Sequence, residues 1–196
     1  MRIQKNLLIA FLMTVVTTVL LGVVYPLVVT ALAQVLFKDQ ANGQLRERDG
    51  HLIGSEIIGQ GFTSARYFHG RPSAAGNGYD ASNSGGTNLG PTNKKLLEAV
   101  TAAVAAANKE NPSTPVPVDL VTSSASGFDP DISPDAAMFQ VPGVAKARGM
   151  TEAEVRQLVT DRIEGRQLGF LGEPRVNVLR LNLMLDERAV SAKKRP

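Results

Sequence analysis

The longest hydrophobic run lies at the start of the chain. No charged side chain occurs between Asn6 and Phe37, in the stretch LLIAFLMTVVTTVLLGVVYPLVVTALAQVLF. A helix needs roughly 20 apolar residues to cross a bilayer, so the run predicts a transmembrane helix over 7–36. Gly22 and Pro26 lie inside it, which a membrane tolerates when neighbouring groups satisfy the freed carbonyl. These two small or kinking residues are candidate contacts for a partner helix.

A cleavable signal peptide is the alternative interpretation of this run. Ala31-Leu32-Ala33 fits the small-residue cleavage pattern, but the apolar run is about twice the usual 7–15 residues of a signal sequence. An uncleaved anchor is therefore favoured. Arg2 and Lys5 precede the run without any acidic residue, and this excess predicts a cytoplasmic N-terminus with the following domain in the periplasm.

Beyond the anchor, the periodicity changes several times and predicts a mixed α/β (α+β) domain over 40–188, followed by a flexible tail at 189–196. Caps and apolar spacing predict a helix capped by Thr92 or Asn93, a short helix after Ser133 and a helix from Thr151 to about Glu164. The second of these helices should break or bend at the Pro142 region. Strands are predicted from β-branched content or alternation at 51–59, 116–122 and 176–186.

The segment 59–93 is dense in glycine, serine, asparagine and proline and predicts a long loop. Its interleaved Phe62, Tyr67, Phe68 and Leu89 should anchor it to a core. Within it, RYFHGRPS (66–73) mixes aromatic residues with arginines, the types that dominate protein interfaces. We therefore expect Tyr67, Phe68 and Arg71 to contact a partner.

Composition narrows the classes of function. The chain has 196 residues, a formal net charge of +3 and no tryptophan, which argues against nucleic-acid binding. It has no cysteine, which excludes disulfides, thiolate zinc sites and cysteine nucleophiles.

The loop SGGTNLGPTN (84–93) has the composition of a phosphate cradle, and it precedes a helix N-terminus that could hold an anion. It lacks a lysine inside it, and a tight turn is the favoured interpretation. The nucleotide-binding candidates in it are Ser84, Gly85, Gly86, Thr87 and Asn88. Gly54 to Gly59 also has phosphate-loop spacing, but Gln60 stands where lysine belongs.

Catalytic and metal sites are not favoured. Asp129, Asp131 and Asp135 are closely spaced, but the EF-hand glycine and distal glutamate are missing, so a turn and helix cap is the preferred interpretation. His69, Ser73 and Asp80 compose a triad on paper, without a GxSxG nucleophile elbow. We therefore predict no catalytic residue and no metal site.

Six further blocks follow one another along the chain: GSEIIGQGF (54–62), YFHGRPSA (67–74), SGGTNLGPTN (84–93), VPVDLVTSSASGFDPDISPDAA (116–137), QVPGVAKARG (140–149) and GEPRVNVLRLNLMLD (172–186). In this order they closely resemble the C subunit of the Kdp potassium-transporting ATPase, and the resemblance covers nearly the whole chain.

The resemblance implies a non-catalytic accessory subunit in the bacterial inner membrane. Its partners would be a channel-like potassium-translocating subunit, a P-type ATPase subunit and a small single-span subunit. ATP and K⁺ would be handled by the complex, with no cofactor bound tightly here. The family is described as a catalytic chaperone that raises the ATP affinity of the ATPase subunit, and its loop, here Ser84-Gly85-Gly86, is likened to an ABC-transporter signature.

A periplasmic domain cannot touch cytoplasmic ATP, so the chaperone role would have to be indirect, by coupling between sites. Three alternatives stay open. One is a chaperone that binds nucleotide directly through SGGTNLGPTN (84–93), which requires this loop to be cytoplasmic. Another is an ion-entry or assembly module in the periplasm with no influence on nucleotide binding. The third is an independent periplasmic binding protein on a tether.

Overall fold

The chain begins with a long apolar helix. The computed structural model describes residues 2–193, and this helix runs from Arg2 to Leu36 without a buried side chain. Its parts are α1 (Arg2–Val19), a π-helical turn (Leu20–Val24) and α2 (Tyr25–Leu36). The helix is long and apolar enough to cross a membrane.

The π-helical turn lies directly before Pro26. Pro26 has no N–H to donate to the carbonyl of Gly22, four residues earlier, and Tyr25 just before it donates its N–H to Leu20 O, five residues earlier, as in a π-helix. The helix continues beyond the proline as α2.

The chain divides into two compact units, one ending at Leu45 and the other beginning at Arg46. In the first unit, α3 (Lys38–Ala41) follows the long helix. At the start of the second, β1 (Leu45–Arg48) pairs with β2 (His51–Ser55). The strand or hairpin arm predicted from His51 onward is confirmed, although it ends at Ser55.

Residues 56–93 contain turns and no regular helix or strand, as the loop prediction required. Next comes α4 (Lys94–Glu110), where the Asn93 side chain accepts from Lys95 N–H at 2.9 Å. The predicted cap is confirmed. No residue of α4 is buried.

The strand predicted at 116–122 is wrong. Residues Val118–Leu120 form a short 3₁₀ helix, and Pro117 immediately before it has no N–H for a sheet ladder. β-Branched content alone therefore misled the prediction.

The core is formed by three helices around a small antiparallel sheet. They are α5 (Pro134–Arg148), α6 (Glu152–Thr160) and α7 (Val178–Lys193), and β3 (Asp131–Ile132) pairs with β4 (Val176–Asn177). The buried cluster consists of Phe68, Ile132, Ala136, Ala137, Val141, Val144, Ala145, Val155, Leu158, Val159, Val176, Val178, Leu181 and Leu185.

Caps define where α5 and α6 begin. Ser133 Oγ accepts from Ala136 N–H, with proline at the first position, and Thr151 and Glu154 form a capping box. Both predicted starts are confirmed. However, α5 is not broken at Pro142, which lies inside it, and α6 ends at Thr160 rather than near Glu164.

The strand predicted at 176–186 is wrong for all but its first two residues. Val178, Leu181, Asn182 and Leu185 are buried at a spacing of three and four, which is the period of a helix. Leucine, methionine and arginine are good helix formers, and no β-branched residue occurs between Leu179 and Asp186. The alternating leucines thus suggested a strand, although the buried positions follow the period of a helix.

The fold is therefore the predicted mixed α/β arrangement with two-stranded sheets, and it follows one apolar N-terminal helix in the sequence. Helix α7 extends into the segment predicted as a tail, 189–196, as far as Lys193. Residues 194–196 of that prediction lie outside the described residues.

Candidate functional site

The glycine-rich loop lies against the segment 124–127. Gly85 N–H and Ser84 Oγ both donate to Ser126 O, at 3.0 and 3.1 Å. A side chain at Gly86 would place its Cβ 2.9 Å from Ala125 O, so the close approach requires glycine there. The Gly85 N–H is thus already engaged in a hydrogen bond within the chain.

Thr87 and Asn88 complete the candidate loop and are exposed. Asn88 has φ +50°, a left-handed conformation that asparagine tolerates better than most residues. These features describe a tight surface turn followed by the Asn93 cap. Whether the loop binds nucleotide remains a prediction.

The segment around Phe68 is held from within the core. Its side chain is fully buried, and Asn182 on α7 accepts from Phe68 N–H at 2.8 Å and donates to Phe68 O at 2.9 Å. Gln140 on α5 does the same for the backbone of His69, at 2.8 and 3.2 Å. The Phe68 side chain therefore has no surface to offer a partner, because the core of the chain encloses it.

Tyr67 and Arg71, the other two predicted partner contacts on this segment, are half-buried. Tyr67 Oη donates to Asp186 at 3.0 Å, and the Arg148 guanidinium lies 4.8 Å from the centre of the Tyr67 ring. Arg148 also donates to Asp186 at 2.9 Å. Arg71 pairs with Asp129 at 3.0 Å. Each residue thus has a defined structural role within the chain, and contact with a partner stays a prediction.

Gly22 and Pro26, the predicted contacts in the apolar helix, are both exposed in the chain. That surface is available to lipid or to another helix. Their contact with a partner is likewise untested.

His69, Ser73 and Asp80, the three residues that could compose a catalytic triad, are not joined to one another by the hydrogen bonds of the described residues. The His69 ring contacts Phe62 O, Ser73 Oγ donates to Gly127 O at 2.7 Å, and Asp80 accepts from Ser82 and Asn83.

The three closely spaced aspartates also have separate roles. Asp129 pairs with Arg71, Asp131 pairs with Arg175 at 3.1 Å, and Asp135 lies in the first turn of α5. Burial raises the pKa of Asp131, although Asn177 and Arg175 act in the opposite direction. Among residues 2–193, no group of three or more potential ligands from His, Cys, Asp and Glu could hold a metal ion.

An ion-pair network around the buried Glu56 was missed by the sequence analysis. Glu56 is 5% exposed, and its carboxylate contacts both Arg46 and Arg180. Burial would raise the pKa of Glu56, but hydrogen bonds from Arg180 and Arg46 outweigh it and lower the pKa below its ordinary value.

Arg180 continues this network to Glu164 at 2.6 Å, and Glu164 pairs with Arg175 at 2.9 Å. The network therefore joins β1, the start of α7 and the segment before β4. The partners are up to 124 positions apart in the sequence, so no local pattern could reveal the pairing.

An open groove of about 1190 Å³ lies beside the ion pairs Arg71–Asp129 and Arg175–Asp131. The extended segment 113–118 forms part of its wall. The charged groups named here already neutralise one another across short distances.

The fold and the site together define a class of protein: a small α/β unit that follows one apolar N-terminal helix in the sequence, with the buried side chains of Gln140 and Asn182 holding an irregular loop. The model of the family described as "K+-transporting ATPase, c chain" matches residues 7–187. The chain belongs to this KdpC family.

Three relatives illustrate the match, all named potassium-transporting ATPase KdpC subunit. The protein from Koribacter versatilis is 65% identical over 183 residues, covering 93% of this chain and 95% of the relative. That from Rhodopseudomonas palustris is 56% identical, covering 90% and 95%. That from Mycobacterium tuberculosis is 57% identical, covering 93% and 98%. The chain is thus an accessory subunit of the potassium-transporting ATPase complex and not its catalytic one.

Proposed function

We propose that the chain stabilises the ATP-driven potassium-uptake complex and raises the ATP affinity of its ATPase subunit without touching the nucleotide. Its partners would be the channel-like potassium-translocating subunit, the ATPase subunit and a small single-span subunit. The observation that carries the proposal is family membership over 7–187. No cofactor would be bound tightly, and ATP and K⁺ would be handled by the other subunits.

The proposed location is the bacterial inner membrane, with the N-terminus in the cytoplasm and the α/β unit in the periplasm. The support is the pair Arg2 and Lys5 at the N-terminal end of the apolar helix, together with the helix length of 35 residues. Long domains translocate largely regardless of their own charge, so the second unit does not oppose this orientation.

An indirect effect on nucleotide affinity requires coupling between two sites. A subunit that binds one conformation of the ATPase more tightly shifts the equilibrium toward it, and any ligand preferring that conformation then binds more tightly too. The internal use of the Gly85 amide favours this mechanism over direct phosphate binding.

The test compares the purified complex with and without this chain, reconstituted in the same lipid. We expect the KM for ATP to rise when the chain is omitted, by about tenfold for a coupling free energy within the usual range. An unchanged KM with lost potassium uptake would instead favour the ion-entry or assembly role. Full uptake without the chain would favour a tethered protein that acts independently.

A loop variant separates the direct and indirect mechanisms. Thr87→Ala removes an exposed hydroxyl from the candidate loop without disturbing its backbone contacts with Ser126. The indirect mechanism predicts an unchanged KM for ATP in the complex that carries this variant. A KM that rises toward the value without the chain would support direct contact.

A further inference from the structure

A hairpin with an apolar tip connects α6 and β4 in the α/β unit. Residues 164–175 are closed by two antiparallel bridges, Glu164 with Arg175 and Gln167 with Leu171. At its tip, Leu168 is 83% exposed, Phe170 is 68% exposed and Leu171 is 47% exposed. We call residues 167–171 the hairpin tip. Three large apolar side chains exposed within four positions form a patch of the kind that marks an interaction surface.

The tip is held in a fixed shape. Gln167 and Leu171 exchange two backbone hydrogen bonds of 2.9 Å, and Arg166 pairs with Glu173 at 2.6 Å across the hairpin. Leu168 has φ +53°, a conformation that leucine rarely adopts. A strained backbone that presents an apolar side chain to water persists where the surrounding structure determines it, and such residues cluster at ligand-binding sites.

The base of the hairpin is part of the ion-pair network. Glu164 and Arg175 pair with each other, and Glu164 also binds Arg180, which binds Glu56. Glu56 in turn binds Arg46, the first residue of the α/β unit after the apolar helix. The ion pairs thus fix the hairpin to the start of the unit.

Charge separates a lipid surface from a protein as the occupant. Interfacial membrane anchors carry free Lys and Arg that attract anionic headgroups. Here the arginines nearest the tip are already paired, Arg166 with Glu173 and Arg175 with Glu164 and Asp131. A rigid, locally neutral, apolar tip suits a preformed apolar pocket in a protein, because the tip loses little conformational entropy when it docks.

We propose that the hairpin tip docks into an apolar pocket on another subunit of the potassium-transporting ATPase complex. The inference deepens the proposed function, since it rests on the chain having partner subunits and names the surface that meets one of them. Leu168 and Phe170 are the anchors that become buried.

Cysteine labelling tests the proposal, because the chain has no cysteine of its own. L168C and F170C are prepared in the full chain, with V118C as a reference site that is 70% exposed in the free chain. Each variant is reacted with a water-soluble maleimide in two preparations, the chain alone in nanodiscs and the assembled complex in nanodiscs. Labelling is measured on this chain by mass.

We expect L168C and F170C to react at the rate of V118C in the chain alone, and about tenfold more slowly in the complex, because thiol reactivity follows access. Loss of co-elution by L168C or F170C, with V118C still co-eluting, would also support docking. Equal labelling in both preparations would overturn the proposal. Slow labelling already in the chain alone would assign the tip to lipid and overturn it as well.

Failure of the proposed function would be visible separately. If the wild-type chain does not co-elute with other subunits, complex membership itself fails. If it co-elutes while L168C and F170C label freely, only the docking surface is wrong.

Discussion

Two parts of the same irregular segment, both predicted as contact sites, have opposite environments. The Phe68 part is enclosed in the core, and its backbone both donates hydrogen bonds to and accepts them from the side chains of Asn182 and Gln140. The Ser84–Asn88 part lies near the surface and is tied to Ser126 through Ser84 and Gly85. Both are rich in residues that suit binding. Composition therefore indicates that the segment could bind a partner or ligand, while long-range hydrogen bonds decide which part of it is buried.

The largest expected effect comes from removing the buried ring of the first part. Phe68→Ala should lower the free energy of unfolding by about 4 kcal/mol, because it leaves a cavity among α5 and α7. Urea denaturation of the full chain in detergent micelles measures it. Phe170→Ala, with a ring 68% exposed, is the matched control and should change little. A similar loss in both variants would contradict the contrast between interior and surface.

Removing the side-chain amide of Asn182 on α7 should lower the free energy of unfolding nearly as much. Asn182→Ala leaves the N–H and C=O of Phe68 without partners in the interior, at a cost of about 3 kcal/mol in the free energy of unfolding. The exposed Asn77→Ala provides the control. Hydrogen exchange of the Phe68 amide, measured by NMR, should accelerate in the first variant alone. Unchanged exchange would show that Asn182 does not hold this segment.

The ion-pair network extends the comparison to the start of the α/β unit. Glu56→Gln leaves Arg46 and Arg180 without their shared carboxylate and should cost about 2 kcal/mol, since both arginines keep partial contact with water. The wild-type carboxylate has a lowered pKa, so its stabilising effect is present above the ordinary pKa and is lost as pH falls through the lowered pKa.

Thermal unfolding from pH 6 down to about pH 3 measures this effect, because the ordinary pKa of glutamate is about 4.3. The wild-type chain should lose more stability than Glu56→Gln over that range. Parallel curves would mean that Glu56 does not contribute to the acid sensitivity.

The smallest effect is expected in the surface part. Gly86→Ala would place a methyl group against Ala125 O and should cost about 1 kcal/mol as the loop shifts. Gly90→Ala in the same loop meets nothing within 4 Å and serves as the control. Equal stability of the two variants would indicate that the loop does not depend on its contact with the 124–127 segment.

The sequence predicted well those elements that local chemistry determines. Asn93, Ser133 and Thr151 cap their own helices within three residues, so each start could be recognised from a few adjacent positions. Anchoring of the 59–93 loop by its aromatic residues was also predicted, and the buried Phe68 confirms it. The prediction of a partner contact for the same ring shows that composition does not distinguish a core aromatic residue from an interface one.

The errors occur where packing decides. The leucines of 179–185 alternate, and the burial of Leu181, Asn182 and Leu185 along one face of α7 favours a helix together with their helix propensity. Glu56 lies in an unremarkable stretch between the β1–β2 hairpin and the loop, and its partner Arg180 is 124 positions away. Pairings of this kind are created by the fold and leave no local signal in the sequence.

We propose above that the α/β unit acts from the side of the membrane opposite to ATP. We would place single cysteines at two exposed positions, Q4C at the N-terminal end of the apolar helix and N77C in the α/β unit, and expose intact cells to a membrane-impermeant maleimide. We expect N77C to be labelled in intact cells and Q4C only after permeabilisation. Labelling of N77C only after permeabilisation would place the unit in the cytoplasm and contradict the proposed location.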